Sequence, residues 1–131
     1  MAVTNLRQFN RALRKAAKQV PRDRLVVFQK KIAMEALRRV VMKTPVDTGR
    51  ARGNWQVDIN NVPSGALETT DKSGEGTIAG GVAALATLPP FGTIWIANNL
   101  PYIKALEDGH SSQAPTGMVS VTLAELGGMF T

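Results

Sequence analysis

Cysteine is absent, histidine occurs once, and no apolar run nears the length of a membrane span; each shortage removes a class of function. Without cysteine there is neither a disulfide framework nor a thiolate metal site. His110 leaves only scattered carboxylates as possible companions, with no EF-hand or His-Glu-x-x-His spacing, so no metal is expected. Phosphate-loop and dinucleotide fingerprints are also missing. "GTIAGG" lacks the lysine of the first and the preceding strand of the second, so no cofactor is expected. A spanning helix needs about 20 apolar residues, and no stretch supplies them, so no membrane partner is expected. The opening "MAVTNLRQFNRALRKAAKQ" is basic but lacks the apolar core and small-residue cleavage site of a secretory leader. These features place the chain in a reducing interior, or in an assembly built there.

What is present suits one domain, 1–131, with an apolar fraction of 44% that can supply a core. Charge is unevenly spread. Residues 1–52 hold 14 Lys and Arg against three acids, a net +11, and residues 53–131 hold two Lys against seven acids, a net −5. Such polarity points to two kinds of neighbour, one acidic and one basic, beside the plainer reading of solvated helix faces.

Periodicity places the elements. A basic helix lies within 1–20, with Thr4 or Asn5 as its cap and Leu6, Phe9, Leu13 and Ala17 on one face. A second, long helix runs from about Pro21 or Arg22 to Lys43, with the apolar stripe Leu25, Phe28, Ile32, Ala36 and Val40 flanked by Val26, Ala33, Leu37 and Val41. "KTPVDTGRARGNW" stops it with turn chemistry. Trp55, Val57 and Ile59 alternate with polar residues as a strand. Residues 61–76 read as a long flexible loop or arm with few anchors, ordered on assembly. "TIAGGVAALATL" is more helix than strand, "TIWIA" is a strand, and a short helix spans about Tyr102 to Glu107. "MVSVTLAELGGMF" fits either period.

Asp108, Gly109, His110 and Ser111 put an acid, a base and a hydroxyl side by side. A triad usually draws its members from separated segments, and no nucleophile elbow occurs, so this cluster is expected to be a turn and not a catalytic site. No enzymatic role is expected. Arg7, Arg11, Arg14, Lys15 and Lys18 recur at helical spacing and suit phosphates. Aromatic interleaving is thin, so any such contact would be non-specific.

At "TPVDTGRARGNW" and "NNLPYIKALEDGHSSQAPTGMV" the chain resembles the neck and tail-completion proteins of long-tailed bacteriophages, the lambda-like minor tail protein Z group. The first block is Thr44 to Arg50. The second matches at Asn98, Asn99, Pro101, Tyr102, Leu106, Glu107, Gly109, Ser111, Gln113, Ala114, Pro115, Gly117, Met118 and Val119. His110 lies outside the pattern, and residues 61–76 have no counterpart in it. The resemblance implies a non-enzymatic virion protein at the head–tail junction, made in the bacterial cytoplasm. It implies a ring of six copies, with head-closure or connector proteins on one side and tail-terminator or tail-tube proteins on the other. Genomic DNA would pass through the lumen without sequence reading.

The expected fold is α+β: two N-terminal helices, one long, on a small antiparallel or mixed sheet, with the long mobile loop. Expected subunit-interface residues are Asp47, Thr48, Gly49, Arg50, Arg38, Arg39, Tyr102, Glu107, Asp108, Gly109, Gln113 and Pro115. Within them, Asp47 is expected to cap the turn that follows, and Arg50 to pair with a carboxylate of its own chain or a neighbour. Gly109 and Gly117 are expected to supply backbone freedom, Gln113 an amide for neighbouring backbone, and Pro115 stiffness. Charge polarity suggests that Arg38, Arg39 and Arg50 meet Glu107, Asp108 or Glu125 of the next copy, with Arg7, Arg11, Arg14, Lys15 and Lys18 toward DNA. The other reading is a small basic protein that binds nucleic acid non-specifically.

Overall fold

Two prolines divide the N-terminal half of the chain. In the computed structural model, which describes residues 5–129, helix α1 (Leu6–Ala17) ends before Pro21, and a single 3-10 turn (Arg22–Arg24) leads into the long helix α2 (Leu25–Lys43). Pro45 follows the end of α2, and a one-turn helix α3 (Arg50–Gly53) then enters strand β1 (Trp55–Ile59). Helix α4 (Glu75–Leu85), strand β2 (Ile94–Asn98), helix α5 (Ile103–Glu107) and helix α6 (Val119–Met129) complete the order. The α+β expectation holds, with a sheet of two antiparallel strands paired Trp55 to Asn98, Val57 to Ile96 and Ile59 to Ile94. The ambiguous last segment is helix.

Helix α2 is the spine. It packs against α4 and α6; α1 lies on α6, and α4 lies on β1. The centre of the core is Leu37, Val40 and Val41 of α2 with Trp55, Ala114 and Met118. Trp55 also fixes the end of α2, because its Nε1 donates to Thr44 Oγ1 at 2.8 Å and that hydroxyl donates to the Val40 carbonyl. A buried indole and a buried hydroxyl thereby satisfy each other.

The apolar stripe of α2 and its flanks divide into a buried side and an open side. Ala33, Leu37, Val40 and Val41 are buried, whereas Leu25, Phe28, Ile32 and Ala36 are only half-buried and line an open groove. Two adjacent apolar faces wind around one helix, and the chain covers one of them.

Helix α4 needs one of its glycines for a steric reason. A Cβ at Gly81 would overlap Leu37 Cδ2 and sit 3.0 Å from Val57 Cγ2, so hydrogen at this position lets α4 wedge between α2 and the sheet. Gly80, one residue earlier, has nothing within 4 Å of its imagined Cβ.

Residues 60–74 are anchored more firmly than their composition suggested, and the expected free arm is a pinned loop. Asn54 holds Leu67 through both its backbone groups: the Leu67 N–H donates to Oδ1 at 2.6 Å, and Nδ2 donates to the Leu67 carbonyl at 3.0 Å. The Asp71 N–H donates to the Gly49 carbonyl at 2.9 Å, and Asn99 Nδ2 donates to the Pro63 carbonyl at 3.0 Å. A segment with few apolar side chains is held instead through its backbone by side-chain amides.

These contacts predict opposite outcomes for two neighbouring substitutions in α4. Gly80→Ala should stabilise the chain by about 0.5–1 kcal/mol, through helix propensity alone. Gly81→Ala should destabilise it by about 1–3 kcal/mol, because Leu37 must move. Urea denaturation of both variants measures the difference, and equal shifts of one sign would contradict the packing of α4 on α2.

Candidate interface and polyanion-facing surface

The two motif blocks are distant in sequence and adjacent in space. Gln113 clamps the backbone of Val46 from both sides: the Val46 N–H donates to Oε1 at 2.9 Å, and Nε2 donates to the Val46 carbonyl at 3.1 Å. Asn98 Nδ2 donates to the Ala51 carbonyl at 2.9 Å. Between the blocks lies a cleft of about 250 Å³ whose lining includes Asp47, Thr48, Gly49, Arg50, Tyr102 and Gln113. Six of the expected interface residues therefore share one place. The amide expected to serve neighbouring backbone serves the backbone of its own chain.

Several expected roles change hands. Thr48, not Asp47, bonds into the turn: the Arg50 N–H donates to Thr48 Oγ1 at 3.2 Å, the two-residue reach of a Ser/Thr turn. Asp47 is exposed. Arg50 does meet a carboxylate, Glu68 of its own chain at 3.3 Å, but Glu68 is 93% exposed, so this pair contributes little. The stronger guanidinium is Arg52, which sequence alone does not single out. It donates to the carbonyls of Met42 at 2.9 Å, Thr44 at 3.0 Å and Lys72 at 2.8 Å, closing the C-terminal end of α2 where carbonyls lack helical partners.

Glu107 is no exposed interface acid. It is buried, and its carboxylate accepts the N–H groups of Met118 at 3.0 Å, Val119 at 2.8 Å and Ser120 at 3.0 Å. These are orphan donors at the start of α6, so the side chain caps that helix and favours its positive end. The turn between them requires glycine twice. Gly109 and Gly117 both have φ +88°; a Cβ at Gly109 would overlap the Pro115 carbonyl oxygen, and one at Gly117 the Glu107 carbonyl oxygen. Pro115 thus acts as the wall that Gly109 passes. Asp108 and His110 are exposed, and Ser111 Oγ accepts the Gln113 N–H at 3.2 Å, so no relay joins the three.

Arg39 and Glu125, expected to meet across a subunit boundary, meet within the chain at 2.8 Å. Lys43 joins Glu125 at 2.8 Å, and Glu35 takes Arg38 at 2.7 Å and Arg39 at 3.2 Å. This network ties α2 to α6. The Lys43 ammonium first, and Arg39 second, hold the Glu125 carboxyl below its ordinary value despite some desolvation. The pairing is hidden in the sequence for a geometric reason: the period of α6 is ambiguous there, so Glu125 has no assigned face.

Arg7, Arg11, Arg14, Lys15 and Lys18 are all exposed and share the face of α1 turned away from α6. The ion pairs among the described residues lie elsewhere. Asn5, at the head of this helix, makes no cap bond with its side chain. Its Nδ2 donates to the Ser120 carbonyl at 2.9 Å and pins α1 to α6. Thr4, the other cap considered, lies outside the described residues. Among the described residues there is no cluster of three metal-ligating side chains, and no helix is long and apolar enough to cross a membrane.

Asp71 is a further anchor. Its carboxylate accepts from Thr77 Oγ1 at 2.7 Å and from the N–H groups of Thr77 at 2.8 Å and Gly74 at 3.0 Å. It organises the entry to α4. The Thr77 hydroxyl first, and the Thr77 N–H second, hold its carboxyl below the ordinary value of 3.8 against an opposing desolvation effect.

Comparison with family models, with curated proteins and with solved structures finds no match for the chain.

Two experiments test this geometry. A depressed carboxylate contributes stability above its ordinary value and loses it as pH falls through the folded value. The stability advantage of the wild type over Asp71→Asn should therefore be full at about pH 6 and shrink below about pH 3.8. Denaturant midpoints from about pH 2 to 7 read this; an advantage that does not change with pH would contradict it. For the turn, His110→Ala should shift stability by less than about 0.5 kcal/mol, whereas Gly109→Ala should lose about 1–3 kcal/mol by forcing a side chain into a left-handed conformation. Thermal melts compare the two.

Proposed function

We propose that this chain is a structural protein of a phage neck. It completes the tail and joins it to the head connector as a ring of identical copies around the DNA channel. The observation that carries the reading is the division of labour among its charges. The carboxylates near α2 and α6 are taken up by Arg38, Arg39 and Lys43, while Arg7, Arg11, Arg14 and Lys15 of α1, with Lys18 just beyond it, face outward together. Such a strip attracts a polyanion through its phosphates and carries no means of reading bases.

Two further features support it. The blocks that carry the resemblance, residues 44–50 and 98–119, are knitted into one platform by Gln113, Asn98 and Glu107. They leave a cleft flanked by exposed Asp47 and Tyr102. A platform of this kind can position one subunit against another, and the five cations can face DNA that must keep moving past them. Head-closure proteins and tail-tube or tail-terminator proteins would meet the two faces of the ring. Synthesis in the bacterial cytoplasm and residence in the virion neck complete the proposal.

The same strip favours a second reading, a small protein that coats nucleic acid non-specifically. Sedimentation with and without duplex DNA separates them. The neck reading predicts a closed oligomer without DNA, and Arg11→Glu with Lys15→Glu should spare that oligomer. The pair should also flatten the salt dependence of DNA retention, by about one unit of log–log slope for each phosphate that is no longer neutralised. A monomer that assembles only along DNA would contradict the neck reading and support the second.

A further inference from the structure

Helix α2 presents more apolar surface than the chain covers. Leu25, Val26 and Ile32 of α2 lie open to a groove of about 640 Å³. Phe9 and Leu13 of α1 form one wall, Ile94 and Ile96 of β2 the other, and Leu126 of α6 part of the floor. The turn at 89–92 closes one end, tied down by Gln29 Nε2, which donates to the Gly92 carbonyl at 2.9 Å. Phe91 stands at this lip, 92% exposed and at φ 61°, a conformation that a bulky side chain adopts only under constraint. An open apolar groove of this size marks an interaction site.

Its electrostatics are one-sided. Among the described residues, the only charged one on the lining is Arg22; the cations of α1 lie on that helix's other face. A fitting occupant is therefore an aromatic or aliphatic surface flanked by carboxylate.

The chain itself carries such a surface. Along β2 the side chains alternate, so Ile94 and Ile96 face the groove while Trp95 faces the opposite side of the sheet. Trp95 is 40% exposed, and its cross-strand partner is the exposed Asp58. This face belongs to the half of the chain with net charge −5, and the two helical sides of the groove, α1 and α2, to the half with +11.

We propose that the groove receives the Trp95–Asp58 face of a second copy of this chain. Trp95 of the incoming copy enters beside Phe91, and its Asp58 approaches Arg22. Donor and acceptor lie on opposite faces of a single strand, so the contact is head-to-tail. Each copy gives one surface and receives another, and the series closes into a ring or continues as a filament. The inference rests on the self-assembly proposed above and assigns the contact that produces it.

Sedimentation velocity over a range of concentrations and salt tests it, with two variants that each remove one side of the contact. Trp95→Ala removes the donor, and Val26→Glu puts a carboxylate in the acceptor, at the start of α2 where an acid suits the helix. Each variant alone should self-associate at least roughly thirtyfold more weakly than the wild type. Mixed together, the two should form a one-to-one dimer and nothing larger, because only one intact junction remains. Should either variant melt abnormally, Asp58→Lys and Arg22→Glu, both at exposed positions, replace them; each alone should weaken association and the double variant should restore it. Variants that assemble like the wild type would overturn this contact while leaving a ring built through another surface. A wild type that stays monomeric in low salt would overturn the contact and the self-assembly together.

Discussion

One long helix with apolar side chains over too wide an arc sets the terms for everything else in this fold. Covering the Leu37–Val41 side of α2 takes the sheet, α4 and the turn before α6, and each must come close. Close approach explains Gly81, which lets α4 pass over Leu37 and Val57. It also explains why Trp55, the largest core side chain, directs its polar atom to Thr44 at the end of α2. With only two strands and short helices among the described residues, no further element lies over Leu25 and Ile32. The uncovered face follows from the same relation of area to volume that makes small domains depend on partners.

A second constraint is the backbone of the connections. Residues 60–74 and 108–118 bury few apolar side chains, so their order depends on polar groups that reach them. Asn54, Arg52, Asp71, Gln113 and Glu107 all act this way, each bonding main-chain groups outside its own turn of chain. Two of them, Gln113 and Glu107, are also among the residues that carry the resemblance. That role is compatible with a protein whose surface, rather than any reacting group, is its working part.

Most elements and their order are legible in the sequence because periodicity, proline and the Trp55–Ile59 alternation are local signals; the one-turn α3 carries no such signal, and the period of α6 is ambiguous. The glycine-rich α4 is legible from its alanines. Partners are harder. Glu107 reads as an exposed interface acid because nothing local says that α6 begins twelve residues later and needs its N–H groups accepted. Arg39 and Glu125 read as available to a neighbour because the packing that joins α2 to α6 is a tertiary fact. Asp47 and Thr48 sit side by side, and only geometry decides which oxygen reaches the Arg50 N–H. The groove is invisible in the sequence because half-buried and buried positions on α2 have the same apolar letters.

The proposal at the centre is that copies of this chain build a closed ring through which DNA passes, with α1 toward the lumen. Electron cryomicroscopy of the species formed in low salt tests it most directly. The expected image is a closed ring with Arg7, Arg11, Arg14, Lys15 and Lys18 lining the opening and the apolar groove covered by the adjoining copy. A ring with α1 on its outer rim and the groove exposed, or particles that never exceed a single copy, would contradict it.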